Sequence, residues 1–423
     1  MQDTPKGSRL HIAIFGRRNV GKSSLINALT GQELAVVSPV RGTTTDPVYK
    51  AMEMLPLGPV MLIDTAGIDD EGALGELRVK KTLEVLRRAD MALLVIDPEM
   101  GIGSYERKIL ERLKSHNLPV VLVLNKIDQS DGQKVRELEK LLGQKVVPVS
   151  CLTRQGIEEL KGEIIKAAPS DFEMPTIVGD LVNQGELAIL VVPLDKAAPK
   201  GRLILPQVQT IRDLLDHNAM ALVLKEDQLA QALPQFPQPK IVITDSQIFH
   251  KVASLTPKGV WMTSFSILFA RYKGDLGELV KGAKAVERLK PGDRVLIAEA
   301  CTHHSPEDDI GRVKIPRWLE QRVGGKLNFS WYSGSGYPED LSSYKVVIHC
   351  GGCMINRREM LYRIQLAKEA GVPIVNYGVL LALVQGVLER SLEPFPEALR
   401  IWQEKEEFEH GCSSQGKNKA LSH

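Results

Sequence analysis

The chain has 423 residues, is 43% hydrophobic and 25% charged, and is long enough for two to four globular domains. A formal net charge of +2 announces no nucleic-acid-binding face, and no apolar run nears the roughly 20 residues that cross a bilayer, so neither nucleic acid nor a membrane is an expected partner. Five cysteines, an odd and low count, argue against a disulfide framework and for a reducing cytoplasm, where clustered cysteines bind metal or do redox work. Residues 1–9 are polar and hold no apolar signal core.

Taken in chain order, the first apolar run (10–15) reads as a strand that enters Gly16-Arg17-Arg18-Asn19-Val20-Gly21-Lys22-Ser23-Ser24 and then a helix. This is the phosphate-binding loop G-x-x-x-x-G-K-S in its required strand–loop–helix setting. Backbone N–H groups and the helix N-terminus meet the phosphates, Lys22 reaches the β- and γ-phosphates, and the Ser23 hydroxyl ligates Mg²⁺. A second strand (59–63) ends in Asp64-Thr-Ala-Gly67, which places Asp64 behind Mg²⁺ and the Gly67 N–H at the γ-phosphate. A third (120–124) ends in Asn125-Lys126-Ile-Asp128; a carboxylate at Asp128 accepts guanine N1–H and the exocyclic amine together, which selects GTP. A fourth (146–149) leads to Ser150-Cys151-Leu152, whose amides meet guanine O6. The expected first domain is 1–170, a GTP hydrolase with GTP/GDP and Mg²⁺ as cofactors.

The loop Gly16–Ser23 and Gly42-Thr43-Thr44-Thr45-Asp46 together resemble the Era-like and tRNA-modification GTPases. Thr45 departs from the arginine of that pattern. The resemblance implies Thr44 as the switch threonine on Mg²⁺ and Asn19 as a K⁺-holding asparagine. Read from its residue type alone, Asn19 is equally a loop-stabilising hydrogen-bonding group. Ile68 stands where a water-orienting glutamine would act, which predicts slow hydrolysis, and 65–75 reads as a switch segment.

A polar, proline-flanked stretch near 169–175 marks a boundary. Strand-like runs at 187–192, 220–224 and 240–244, with helical stretches at 207–216 and 226–232, predict a small α/β domain over 171–260. Its short sheet has edges that a second copy would cover, so homodimerisation is expected there. Strands at 293–298, 326–330, 345–349 and 372–375, alternating with helices at 275–288, 314–323, 356–370 and 378–389, predict a third α/β unit over 261–405. Residues 406–423, with Cys412, read as a disordered tail.

Two cysteine groups stand at strand ends in that unit: Cys301-Thr-His303-His304 and His349-Cys350-Gly-Gly-Cys353. Ligands of open parallel sheets collect outside the strand carboxyl ends, so the two groups are expected to share one crevice. Asn356 is placed to cap the next helix, whose N-terminus favours thiolate. Three cysteines with histidine candidates leave three readings: a 4Fe–4S cluster with one exchangeable iron, zinc, or a redox dithiol.

The whole chain, from residue 8 to about 400, resembles the GTPases that mature FeFe-hydrogenase, the HydF family. The likeness rests on the GTPase motifs joined to Cys301-x-His303 and His349-Cys350-x-x-Cys353. It implies a P-loop domain followed by two smaller α/β domains, the last holding a 4Fe–4S cluster on Cys301, Cys350 and Cys353. His303 is implied at the fourth iron, with His349 a ligand or a neighbour of one and His304 unassigned. It further implies a homodimeric scaffold and carrier that accepts a di-iron precursor from two radical-SAM maturation enzymes and passes it to apo FeFe-hydrogenase. Two other readings stand beside it: an RNA-associated Era-like GTPase with a zinc domain, and a redox enzyme. The near-neutral charge weighs against the first, and the lack of a Cys-x₃-Cys-x₂-Cys run against a radical-SAM form of the second.

Overall fold

The computed structural model describes residues 6–31, 47–65, 82, 84–130, 132–169, 175–193, 203–300, 309–334, 337–338 and 340–404. Three sheets succeed one another along the chain. The first comprises β1 (Leu10–Phe15), β2 (Val48–Met54), β3 (Gly58–Asp64), β4 (Met91–Ile96), β5 (Val120–Leu124) and β6 (Val146–Pro148), in the order β2-β3-β1-β4-β5-β6. Only β2 runs antiparallel. The central strands β1 and β4 are buried along their whole length, because apolar clusters cover both faces.

The second sheet holds β7 (Leu187–Val191), β8 (Met220–Leu224), β9 (Ile241–Thr244) and β10 (Trp261–Ser264), ordered β10-β9-β7-β8 and parallel throughout. The sheet runs past the boundary expected at 260: Trp261–Ser264 is its edge strand, and the helix Phe265–Lys273 comes directly after it. Ser264 Oγ caps that helix by accepting from Ile267 N. The third sheet holds β11 (Arg294–Glu299), β12 (Asn328–Ser333), β13 (Val346–His349) and β14 (Ile374–Asn376), ordered β12-β11-β13-β14 and again parallel. The strand expected at 326–330 runs instead from Asn328 to Ser333. Its register on β11 aligns Ser333 with Glu299, while His349 stands between Ala298 and Asn376. The next residues along each strand, Ala300, Cys350 and Tyr377, thus leave the sheet at one edge.

Packing is tightest where the helix Leu276–Val286 crosses β14. A methyl group on Gly282 would sit 1.9 Å from the Ile374 carbonyl oxygen. Beneath the cysteine edge lies a buried polar group. Arg363 on the helix Arg357–Glu369 donates to Glu359 Oε1 (3.0 Å), His349 Nε2 (3.0 Å) and the Gly334 carbonyl (3.1 Å). Its guanidinium lies over the Tyr337 ring, 5.0 Å from the centroid. Because arginine only donates, His349 Nε2 is an acceptor, and Nδ1–H donates to the Cys350 carbonyl at 2.7 Å. Burial first, then the Arg363 charge, push the imidazole down to about 3.

This packing generates two expected outcomes. Gly282→Ala lowers stability by about 1–3 kcal/mol, although alanine is the better helix former, and the denaturation midpoint falls. His349 titrates below its ordinary 6.5 in the fold, so between about 6.5 and 3 the unfolded chain takes up a proton that the folded chain refuses. Its contribution is whole above pH 6.5 and declines as pH falls, by up to about 1.4 kcal/mol per pH unit. Urea midpoints from pH 7.5 to 5 should show this slope, and His349→Gln should flatten it.

Candidate functional site

The nucleotide motifs gather at the carboxyl edge of the first sheet. β1 ends in the loop Gly16–Lys22, and both loop glycines that matter are forced. A side chain at Gly16 (φ 153°) would meet the Val95 carbonyl at 2.6 Å, and one at Gly21 (φ 92°) would meet Asn125 Nδ2 at 2.3 Å. Asn19 also adopts a positive φ of 60° and is exposed. Val20 is buried beneath it. Lys22 Nζ donates to the carbonyls of Gly16 (2.8 Å) and Arg17 (2.7 Å), which keeps the ammonium inside the loop. The helix Lys22–Thr30 starts on Gly21 with no side-chain cap, and a helix N-terminus in this position favours an anion.

Ser23 Oγ donates to Asp64 Oδ2 at 2.6 Å, joining β3 to the loop. Burial raises the Asp64 carboxyl above its usual range, against the Ser23 bond and the Lys22 charge. A half-buried carboxylate and a hydroxyl at the mouth of the phosphate loop are a hard-oxygen donor set, which fits Mg²⁺. Asn125 ties the two halves of the site: its Nδ2 donates to the Val20 carbonyl (2.9 Å) and its Oδ1 accepts from Cys151 N (3.3 Å). Lys126, at φ 60°, donates to Asp97 Oδ2 at 2.7 Å. Burial opposes the Asp97 charge, but the Lys126 bond and neighbouring amides hold it below the usual carboxylate range. Asp128 lies on the short turn Ile127–Gln129, and Ser150 is buried, with its N–H on the Gln155 carbonyl. Leu152 is exposed at 82%. Burial pushes the Cys151 thiol up to about 11, so it is a neutral wall of this site. Thr44 and Gly67 lie outside the described residues, as does Ile68.

Sequence reasoning missed Asp97 and the Arg17–Glu106 pair. Arg17 Nε and Nη2 each meet a Glu106 carboxylate oxygen at 2.8 Å, and the Gly103 N–H shares Glu106 Oε2 at 2.8 Å. Asp97, directly after β4, stands at the same kind of strand end as Asp64 and Asn125, and that position was the available signal.

The second candidate centre is the edge of the third sheet. Cys301, His303 and His304 lie outside the described residues, so only the Cys350–Cys353 half has a geometry. Among the described residues no three His, Cys, Asp or Glu side chains converge on a metal-sized site. Cys350 is half-buried and Cys353 exposed. Cys350 Sγ accepts N–H bonds from Ala300 (3.1 Å) and Gly352 (3.5 Å), and Cys350 N donates to the Ala298 carbonyl at 2.9 Å. Ala300, the last described residue before Cys301, thus lies against the Cys350 sulfur. Gly352 adopts φ 63°, the bend that carries the chain from one cysteine to the next. Asn356 Oδ1 caps the following helix by accepting from Glu359 N at 3.1 Å. Amide donors aimed at sulfur favour thiolate, and this donor set fits iron–sulfur ligation. His349 has partners on both ring nitrogens, the Arg363 guanidinium on Nε2 and the Cys350 carbonyl on Nδ1, the arrangement of a neighbour to a ligand.

Lys273 was not singled out from the sequence. It ends the nearly apolar helix Phe265–Lys273, and its Nζ donates to the carbonyls of Gly352 (3.0 Å), Cys353 (3.3 Å) and Ile355 (3.1 Å). Burial brings it down to about 8, against the charges of Cys353 and Cys350.

Residues 177–274 match the hydrogen maturase F dimerization domain and 277–394 the hydrogen maturase F tetramerization domain, together half of the chain. Residues 11–126 match a 50S ribosome-binding GTPase domain. The tRNA modification GTPase MnmE of Aquifex aeolicus is 39% identical over 163 residues, 38% of this chain and 35% of that protein. GTPase Era of Clostridium kluyveri is 30% identical over 207 residues, 45% of this chain and 69% of its own. The chain thus spans about a third of the length of the tRNA modification GTPases it matches. The crystal structure of Aquifex aeolicus Era with GDP and AlF4⁻ covers 58% of this chain and 97% of that one, at 22% identity and a TM-score of 0.35. Among the described residues no helix is long and apolar enough to cross a membrane. The chain belongs to the hydrogen maturase F (HydF) family of hydrogenase maturases, with an Era- and MnmE-like GTPase domain at its front.

Proposed function

We propose that this GTPase is the iron–sulfur scaffold and carrier of FeFe-hydrogenase maturation. Cys301, Cys350 and Cys353 hold a 4Fe–4S cluster, and His303 is the exchangeable partner of its fourth iron. The observation that supports this reading is the bond from the Ala300 N–H, one residue before Cys301, to Cys350 Sγ. A cluster held by three thiolates has one labile iron, where a removable fragment can be docked through a bridging ligand. The cargo is a di-iron precursor, received from two radical-SAM maturation enzymes and handed to apo FeFe-hydrogenase. Arg363, paired with Glu359, and His349 brace the floor of the site, while the N–H groups of Ala300 and Gly352 donate to Cys350 Sγ.

In the first domain, Lys22 and the loop N–H groups hold the GTP phosphates. Ser23, Thr44 and Asp64 hold Mg²⁺, Asn19 holds K⁺, and the Gly67 N–H meets the γ-phosphate. Asn125, Lys126 and Asp128, with the Ser150–Leu152 turn, hold guanine. Hydrolysis is slow, because Ile68 cannot orient water, and nucleotide state biases partner contacts. The chain is a cytoplasmic homodimer through the middle sheet, whose edge strand β8 exposes Met220 and Val223. The RNA-linked reading draws on the GTPase motifs of the first domain, while hydrogen maturase F domains match 177–274 and 277–394.

Metal analysis and EPR on anaerobically reconstituted protein test this reading. The expected result is about four irons per chain and a reduced spin-half signal that imidazole or cyanide perturbs. One zinc and no iron uptake would overturn it. Lys22→Ala should abolish GTP hydrolysis and leave the iron in place; Cys353→Ser should lose the cluster and leave hydrolysis nearly intact.

A further inference from the structure

Lys273 lies on the last helix of the middle unit, yet its charged end serves the cysteine loop of the next one. The side chain is 3% exposed, and its three donor bonds go to three carbonyls within four residues, those of Gly352, Cys353 and Ile355. An ammonium has three protons, and each here has a backbone acceptor. Its base is fixed as well: Arg357 Nη1 donates to the carbonyls of Arg271, Tyr272 and Gly274, tying the end of the Lys273 helix to the start of the helix beyond the loop. A cation is expensive to bury against carbonyls alone. In the cluster reading, Cys350 and Cys353 would ligate as thiolates and supply the negative charge that offsets this cost.

We propose that Lys273 is the positioning residue of the cysteine loop: its three carbonyl bonds fix the turn between Cys350 and Cys353, and its charge balances the anionic iron–sulfur ligation there. The charge-balancing half rests on the cluster assignment above; the clamp on the turn does not. An outer partner of this kind is worth roughly 10- to 100-fold in metal retention. Losing a buried positive charge also makes an added electron less welcome, so the cluster potential should fall.

The experiment compares the full chain with Lys273→Met and Lys273→Arg. In metal-free protein, hydrogen exchange of the peptide spanning 352–356 should quicken in both variants, since neither keeps the three-point geometry, while GTP hydrolysis stays unchanged. In reconstituted protein, Lys273→Met should lose iron to a chelator roughly 10- to 100-fold faster and show a lower midpoint potential. Lys273→Arg, which keeps the charge, should stay near the wild-type potential. Unchanged exchange in both variants overturns the clamp, and equal iron loss and potential in Lys273→Met overturn the charge role. If Lys273→Met fails to fold, Lys273→Arg decides the clamp by exchange; in that variant a potential displaced as far as a neutral residue would displace it overturns the charge role. A wild-type chain that takes up no iron overturns the cluster assignment, and with it the charge role, while the exchange comparison still decides the clamp.

Discussion

Backbone carbonyls that face inward must find donors, and at the turn after β13 several do so at once. The carbonyls of Gly352, Cys353 and Ile355 point away from solvent, and one buried ammonium answers all three. Without that donor the turn would have to open toward water or carry unpaired acceptors at about 1–3 kcal/mol each. The same turn also receives the first unit. A side chain at Gly7 would strike the Ile355 carbonyl oxygen at 2.5 Å, so the short helix Lys6–Ser8 runs against the loop backbone to backbone. Asn356 uses its Oδ1 to cap its own helix and its Nδ2 to reach the Arg88 carbonyl at 2.8 Å. Three successive units therefore share seven residues, 350–356, and the shape of the cysteine loop depends on all of them.

That arrangement gives the two centres a contiguous physical connection. His11, near the start of β1, is joined to Asp90 through its N–H (2.8 Å) and approached by Asn356 Nδ2 at 3.4 Å, while the far end of β1 becomes the phosphate loop. Arg358 adds a bond to the His116 carbonyl, and Arg87 lies over the Tyr362 ring. A strand buried along its whole length transmits displacement rather than absorbing it. Adjacency is still not coupling: nucleotide state can bias the cysteine edge only by binding two arrangements of this contact with different affinity.

The legible parts of this molecule were those whose chemistry is written within a few residues. A phosphate loop needs its glycines at fixed spacing because the chain there must turn its N–H groups inward, and Gly16 and Gly21 adopt that geometry. The Asn125 motif and the Cys350–Cys353 pair are likewise local. What escaped was decided by tertiary register. His349 adjoins a cysteine and read as a ligand or a neighbour of one; its partner on Nε2 is an arginine 14 residues later, on a helix whose turn brings it beneath the sheet. Lys273 is 77 residues from Cys350 and carries no motif. The strand Trp261–Ser264 was not legible because it is only four residues long, with one polar pair, and offers no alternation from which to infer a strand.

The missed strand and the missed lysine have one cause. The helix Phe265–Lys273 belongs to the dimerization match, which ends at 274, yet its apolar face is built into the core of the third unit. Phe265, Ile267 and Leu268 share one buried cluster with Leu279, Ile364 and Val379, and a methyl group on Gly378 would lie 2.5 Å from the Ser266 side chain. Two sheets that read as separate domains by strand order are therefore continuous by packing. A helix wedged so closely between them has little freedom to shift, because overpacked and underpacked positions both cost stability. The precision needed to place one ammonium on three carbonyls is supplied by that wedge: the unit that matches the dimerization domain also provides the donor shared by the carbonyls of the cysteine loop.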